Sequence, residues 1–232
     1  DAVRWYFYTV NQPGDVKLFA EKDVDQALKK FIMTFWNSYL FFKTYRENSR
    51  LRQGSGGQAK SKNILDRWII SRLNELIEQV TQKLDKYDVT GSARAIENFV
   101  INDLSLWYIR RSRKRFKEAS ATLHHVLLTL SKLTAPFIPF LSEVIYQNEN
   151  TSRSVHLEDW PKVNKKLIDE KLNQKMVKVR EIVNLALAER AKAGIKVRQP
   201  LNKLQITNYK LQKEKELLDL IKEEINVKKI TF

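Results

Sequence analysis

Residues 63–85, NILDRWIISRLNELIEQVTQKLD, form the stretch that decides the fold class. Apolar side chains recur in it at spacings of three and four, which is the period of one face of an α-helix. These apolar positions are Ile69, Leu73, Leu76, Val80 and Leu84. No glycine or proline interrupts the stretch, and the sequence YDVTG at 87–91 ends it. We therefore predict a long amphipathic helix over about 63–85.

The same period occurs on both sides of this helix. One helix is predicted to begin at Asp23, capped with the help of Gln26 three residues later. Another is predicted to begin at Thr90 and to continue through Trp107 into a basic segment. Further helices are predicted over 121–133, from Ala135 to about Tyr146, and over 165–192. Together with only 6 Gly and 5 Pro, these patterns indicate a mainly α fold, a bundle of about five long helices.

The pattern changes after Gly194, which is suited to end the last long helix. Residues 195–198 alternate apolar and basic side chains, as a strand does. An extended stretch at 203–206, a helix at 213–224 and a second extended stretch at 227–230 follow. We predict three parts: an element over 1–22, a helical bundle over 23–193, and the start of an α+β domain over 194–232. The glycine-rich residues 53–58 have the composition of a flexible linker, natural or engineered, and 154–157 are expected to be extended.

The charge balance favours a polyanionic partner. The chain has 42 Lys and Arg against 27 Asp and Glu, a net charge of +15 and a pI of about 9.8. Binding to nucleic acid would use this charge through phosphate contacts, whereas the alternative is that the lysines serve only solubility. The absence of cysteine excludes disulfides and thiolate chemistry and fits a cytoplasmic protein. No membrane span or signal peptide is expected, and the first residues read like the interior of a longer chain.

Candidate catalytic residues are scarce. The glycines at 54–57 lack the strand-to-helix context and the Lys-Ser/Thr pair of a phosphate-binding loop. His124 and His125 are adjacent, so they cannot share one helix face as a metal-binding pair. His156 is the third histidine, and it has no such partner in the sequence. We expect no catalytic residue, no metal and no cofactor in this chain.

The segment LWYIRRSRKRF at 106–116 is the strongest candidate for binding. In a continuous helix, Arg110 would lie above Lys114, so like charges would repel along one face. The helix dipole can offset this repulsion, and so can a row of phosphates bound by guanidinium groups. We favour the phosphates because arginine predominates and aromatic residues precede the run. The predicted RNA-binding residues are Trp107, Arg110, Arg111, Arg113, Lys114 and Arg115.

Two further predicted RNA-binding residues lie in the alternating stretch after Gly194. On a strand, Lys196 and Arg198 would project to one face while their apolar neighbours anchor the other. The alternative is an ordinary edge strand that binds nothing. Trp107 likewise has two interpretations, as a core residue or as a platform on which a base stacks.

Several motifs, in the same order, resemble the class I aminoacyl-tRNA synthetases for branched aliphatic amino acids. They are DAVRWY (1–6), FWNSYLFF (35–42), LDRWIISRL (65–73), WYIRRSR (107–113), APFIPF (135–140), SVHL (154–157) and KAGIKVRQPL (192–201). The motif WYIRRSR, at 107–113, is similar to the isoleucyl form in particular. The chain departs from the family at 54–57, at the short stretches 116–120 and 148–153, and at Lys117, where the family usually has tryptophan.

This resemblance implies a tRNA-binding function without chemistry. Residues 1–22 resemble the element that contacts the tRNA stem, the bundle resembles the domain that binds the anticodon arm, and the tail resembles a junction domain. The parent enzymes use ATP and magnesium to join isoleucine to tRNA, but their catalytic signatures are missing here. The implied partners are tRNA and the catalytic and editing domains of the same polypeptide, and a monomer is expected. A valyl-type fragment, a free-standing RNA-binding protein and a protein-docking scaffold built on residues 172–193 are the alternatives.

Overall fold

The computed structural model describes residues 1–12, 14–16, 18–48, 63–149, 153–206, 211–212 and 214–232. The linker predicted at 53–58 lies outside these residues. The chain divides into two compact units, residues 1–168 and residues 169–232. Each unit has its own buried core and is considered separately.

The first unit is helical, which confirms the mainly α fold class. Two of its segments are π-helical, Leu28–Ile32 and Phe99–Ile109, and each continues the α-helices on either side of it. The α-helices are α1 (Ala2–Thr9), α2 (Glu21–Ala27), α3 (Met33–Asn48), α4 (Ile64–Leu84), α5 (Val89–Asn98), α6 (Arg110–Ser112), α7 (Phe116–Thr134) and α8 (Pro139–Glu149).

The amphipathic face of α4 packs as the sequence predicts. Ile69, Leu73, Leu76 and Val80 are all buried, whereas Leu84 at the helix end is half-buried. The aromatic stripe of α2 and α3 is buried as well, from Phe31 to Phe42. Burial of such stripes removes apolar surface from water and supplies the main driving force for packing the helices together.

Helix α1, which lies within the element predicted over 1–22, packs into this core. The Trp5 ring lies parallel to that of Phe31 with centroids 3.6 Å apart, and it meets the Phe137 ring edge-on at 6.0 Å. The indole N–H of Trp5 donates to Glu97 over 3.1 Å. Arg94 donates to the backbone carbonyls of Thr9 and Val10, at 2.9 and 2.8 Å.

Two predicted helix starts are wrong. The helix expected to begin at Asp23 begins at Glu21, after Ala20 in an extended conformation. The helix expected to be capped by Thr90 is capped by Asp88, whose carboxylate accepts from the backbone N–H of Gly91 at 2.8 Å. The Thr90 hydroxyl instead donates to the carbonyl of Asn11.

We expect the replacement of Asp88 by alanine to destabilise the first unit by about 1 kcal/mol at pH 7. The hydrogen bond from Lys83, and then that from Gly91, lower the pKa of Asp88 below its usual value of 3.8. A lowered folded-state pKa means that the stabilisation exists above the unfolded pKa and is lost as the pH falls through the folded pKa. Urea unfolding at pH 7 and at about pH 2 should therefore show a difference that vanishes in acid. Asp85→Ala, at an exposed position without a capping bond, is the control; an equal difference at both pH values would contradict the prediction.

Other boundaries also differ from the prediction, and in two cases a hydrogen bond between a side chain and a nearby backbone group explains the difference. Residues 154–157, expected to be extended, form the 3₁₀ turn Val155–Leu157, in which the Ser154 side chain accepts from the backbone of His156. The long helix predicted from 165 begins at Glu170, because Asp169 accepts from Leu172 N–H at 3.0 Å and starts it there. Helix α7 begins at Phe116 rather than at 121.

The second unit is a small βαβ unit with one long helix packed against it, so the predicted α+β tail is confirmed. Its elements are α9 (Glu170–Lys192), β1 (Leu201–Gln205), α10 (Lys215–Ile225) and β2 (Val227–Thr231). The strands are parallel, with Leu204 opposite Ile230. Helix α9 was predicted to belong to the bundle; in the structure it packs on α10 instead and belongs to this unit.

Candidate nucleic-acid interface

The basic segment, residues 110–115, contains a break in the helix and is not one continuous helix. Helix α6 gives way to a 3₁₀ turn over Arg113–Arg115, and α7 begins at the next residue. Ser112 lies at φ −87° and ψ −6°, and Arg115 at φ −118° and ψ 30°, which is outside the α-helical region. The row of like charges expected along a single helix face is therefore interrupted before Arg115.

Arg115 turns into the protein. Its guanidinium donates two hydrogen bonds to the carboxylate of Asp66, at 2.9 and 2.7 Å, and a third to the Ser112 hydroxyl at 3.0 Å. The Asp66 side chain is 0% exposed and that of Arg115 is 15% exposed. The Tyr108 hydroxyl also donates to Asp66, over 2.6 Å. Arg115 was predicted to bind phosphate, but this geometry gives it a structural role.

The protonation states of this network follow from burial and from the charge of Asp66. Burial disfavours the charged form of Arg115, but the hydrogen bonds and charge of Asp66 outweigh it and raise the pKa of Arg115. Burial, reinforced by Asp66, raises the pKa of Tyr108 well above 10. Tyr108 is therefore a neutral donor, and the ion pair is intact at neutral pH.

The other cations of the segment face outward. Arg110, Arg113 and Lys114 are exposed, whereas Arg111 is half-buried. Trp107 is also half-buried, so it is neither a fully buried core residue nor a fully exposed platform for a base. Exposed guanidinium and ammonium groups close together in the chain can each contact a backbone phosphate.

Two aromatic residues of α3 join this segment, and the sequence interpretation missed them. The guanidinium carbon of Arg113 lies 5.9 Å from the centre of the Phe41 ring. Phe41 contacts Tyr45, with ring centroids 4.5 Å apart, and both rings rest on Phe116. Tyr45 is 40% exposed. We call Phe41, Tyr45, Arg113 and Lys114 the aromatic–basic surface. The available signal was the i,i+4 spacing of Phe41 and Tyr45 beside the core stripe.

The strand predicted at 195–198 is wrong. These residues form a turn, in which the backbone N–H of Gln199 donates to the carbonyl of Lys196 at 3.0 Å. The buried Arg190 holds the turn, since its guanidinium donates to the carbonyls of Lys196 and Gln199, at 2.6 and 2.5 Å. Lys196 and Arg198 are exposed on this turn within the second unit. They are therefore presented by a fixed loop and not by a sheet face.

Neither a metal site nor a membrane span is found in the described ranges. No group of three or more His, Asp or Glu side chains there could hold a metal ion. The His124 ring stacks on Phe42, and its Nε2 lies 3.4 Å from the Glu149 carboxylate. The pKa of His125 is lowered, mainly by burial and to a smaller extent by the charge of His124. Among the described helices, none combines the length and the apolar character needed to cross a bilayer.

The helical bundle carries exposed cations at its basic segment, and comparison with known families identifies the class of domain. The family model for the anticodon-binding domain of tRNA ligases matches residues 66–206, which include α4, the basic segment and α9. The chain belongs to this family of anticodon-binding domains.

Curated proteins similar to this chain include several isoleucine–tRNA ligases. The protein from Clostridium acetobutylicum is 40% identical over 247 residues, which cover 100% of this chain and 24% of that protein. The proteins from Thermus thermophilus and Dehalococcoides mccartyi are 40% and 41% identical, with 99% and 98% of this chain covered and again 24% of theirs. The chain thus spans about a quarter of the length of the curated relatives it matches.

A solved structure shares the fold. The chain resembles LeuRS from Agrobacterium radiobacter K84, determined in a ternary complex with tRNA and LeuAMS. The TM-score is 0.54 and the identity 20%, with 72% of this chain and 20% of that chain covered. At this identity the likeness concerns the fold alone.

Proposed function

We propose that this chain binds the anticodon arm of a tRNA, and of isoleucine tRNA in particular, as a non-catalytic part of an isoleucine–tRNA ligase. The observation that carries the proposal is the family match over α4 and the basic segment, together with exposed cations at that segment. The identity of the curated relatives supports isoleucine over valine or leucine.

The chemistry of the aromatic–basic surface suits an anticodon arm. Arg113 and Lys114 can contact backbone phosphates, because both are exposed on a turn. Phe41 and Tyr45 supply π-faces beside them, on which unpaired bases of a loop can stack. A duplex offers phosphates but keeps its bases stacked internally, so both kinds of contact together favour a stem that ends in a loop.

The activity of the whole protein is part of the same proposal. The relatives are named as ligases that join isoleucine to tRNA, and this chain aligns with about a quarter of them. We infer that the remaining polypeptide supplies the ATP- and magnesium-dependent chemistry, while this part holds the tRNA arm. A cytoplasmic monomer, in which the catalytic domain is the main protein partner, is the simplest arrangement.

The test is binding of the chain to labelled isoleucine tRNA, valine tRNA and an RNA duplex across a salt series. We expect the tightest binding to isoleucine tRNA, with log affinity falling by about 0.7–0.9 per phosphate contact for each decade of salt. No binding at low salt would overturn the proposal and favour a protein-docking scaffold. Equal binding of all three RNAs would limit the function to electrostatic attachment.

The variant Arg113→Gln/Lys114→Gln tests the surface itself. We expect a roughly tenfold loss of affinity and a salt slope shallower by about 1.4–1.8, because two phosphate contacts disappear. The matched control is Lys86→Gln/Lys166→Gln, which removes the same charge at two exposed positions elsewhere in the first unit. An equal loss in the control would mean that net charge matters and the aromatic–basic surface does not.

A further inference from the structure

We propose that Asp66 is a positioning residue for RNA binding: it draws Arg115 inward and thereby holds Arg113 and Lys114 outward. This inference rests on the proposed function, because its purpose is to present cations to RNA. It assigns a role in binding to a fully buried carboxylate that no RNA can touch.

The break in the basic segment has a cost in backbone hydrogen bonds. A continuous helix would satisfy the backbone hydrogen bonds of residues 110–116, whereas the break gives up part of this ladder. Something outside the segment must therefore stabilise the break. The described partners of Arg115 are the Ser112 hydroxyl within the segment, Asp66, 49 residues away on α4, and the Tyr108 ring, 5.7 Å from its guanidinium carbon.

The energetics of the ion pair can supply that stabilisation. A charge buried without a partner costs several kcal/mol, so Asp66 strongly favours any conformation that brings a cation to it. Two parallel hydrogen bonds to one carboxylate also fix the orientation of the guanidinium. In the structure, Arg115 reaches Asp66 from the end of the 3₁₀ turn, at a residue whose backbone lies outside the α-helical region. The pair therefore fixes the chain at the point where the helix is broken.

The turn decides which cations meet solvent. In a continuous helix, Arg115 would stack one turn above Arg111, and Lys114 above Arg110. In the structure, Arg115 is removed from this row, Arg113 lies over Phe41, and Lys114 is exposed beside it. Asp66 therefore separates one inward anchor, Arg115, from the exposed Arg113 and Lys114 that precede it.

Asp66→Asn is the decisive variant, because geometry and net charge predict opposite results for it. It removes one negative charge, so simple electrostatics predicts tighter binding to RNA. If Asp66 positions the segment, binding to an isoleucine tRNA transcript becomes about tenfold weaker instead, and the salt slope loses about one phosphate contact. Amide hydrogen exchange over 112–116, measured without RNA, should become at least about tenfold faster.

Two further variants separate positioning from general damage. Asp103→Asn has the same charge change at another buried carboxylate, which accepts a hydrogen bond from Arg72 over 3.0 Å. We expect it to leave the affinity for the tRNA transcript and the exchange of 112–116 unchanged. The double variant Asp66→Asn/Arg115→Met leaves no unpaired charge and places an apolar side chain inward, so it should recover most of the affinity and protection.

The outcomes decide between the two proposals separately. Tighter or unchanged tRNA binding by Asp66→Asn would overturn the positioning role, and so would an equal loss in Asp103→Asn or no recovery in the double variant. If the wild-type chain binds no tRNA, the proposed function fails. The exchange measurement then decides the inference alone. Unchanged amide protection of residues 112–116 in Asp66→Asn would overturn it, whereas faster exchange would support the conclusion that Asp66 anchors the segment.

Discussion

Replacing Trp5 by alanine is expected to lower the free energy of unfolding of the first unit by about 4 kcal/mol. Trp5, on α1, is 0% exposed. Its ring contacts Phe31 in the π-helical segment after α2 and Phe137 in the segment that precedes α8. Its removal forfeits the transfer energy of the largest side chain and leaves a cavity between helices that cannot close over it.

Urea unfolding followed by far-UV circular dichroism measures this loss. The control is Phe7→Ala on the same helix, since Phe7 is 43% exposed and should cost less than about 1 kcal/mol. If both variants lost the same small amount, α1 would contribute nothing to the core of the first unit. Such a result would contradict the packing of Trp5 on Phe31.

Replacing Arg115 by methionine is expected to cost about 3–5 kcal/mol. The substitution leaves the carboxylate of Asp66 buried without the guanidinium that neutralises it. The Tyr108 hydroxyl still donates to Asp66, but a neutral donor compensates only part of the charge.

The double variant Asp66→Asn/Arg115→Met should recover most of this stability, because it removes both charges and fills similar volume. A double-mutant cycle of urea midpoints at pH 7 measures the coupling between the two residues, which we expect to exceed about 1.5 kcal/mol. Additive losses would show that the two side chains act independently, in conflict with the paired hydrogen bonds between them.

The periodic spacing of apolar residues correctly predicts those helices and strands whose formation depends mainly on nearby residues. The face of α4 was predicted correctly, because a three-four spacing of large apolar residues has one efficient way of being buried. The βαβ tail was predicted for the same reason. Helix starts were less predictable, since Asp88 and Thr90 are both good capping residues and only the turn at Tyr87, with φ 59°, selects Asp88.

The features that sequence could not predict depend on distant partners. The break at 112–115 is stabilised from α4, and the turn at 195–199 is held by Arg190 on α9. In both cases an arginine that reads as a surface cation is buried against oxygen atoms. A basic residue in a helical or alternating pattern therefore reveals its charge but not the direction in which it points.

The candidate interface was predicted in part for a related reason. The sequence singles out the cations because arginine next to aromatic residues is a compositional signal, and their role in RNA binding stays a prediction. Arg115 belongs to the interior. Phe41 and Tyr45 were missed because Phe41 is next to the buried Phe42 and Tyr45 follows it by three residues. Periodicity alone assigns such residues to a core stripe or its flank. Their place beside Arg113 depends on how α3 packs near the basic segment.

The π-helical segment Phe99–Ile109 has a consequence for comparing homologous sequences. Its buried side chains recur five residues apart, as Phe99, Leu104 and Ile109 do, so each turn accommodates one residue more than an α-helical turn. A homologue that lacks one residue here can keep both flanking helices in place by tightening a single turn. One-residue alignment gaps in this segment would therefore mark a change of helical pitch, and the neighbouring motifs should be aligned independently on each side of it.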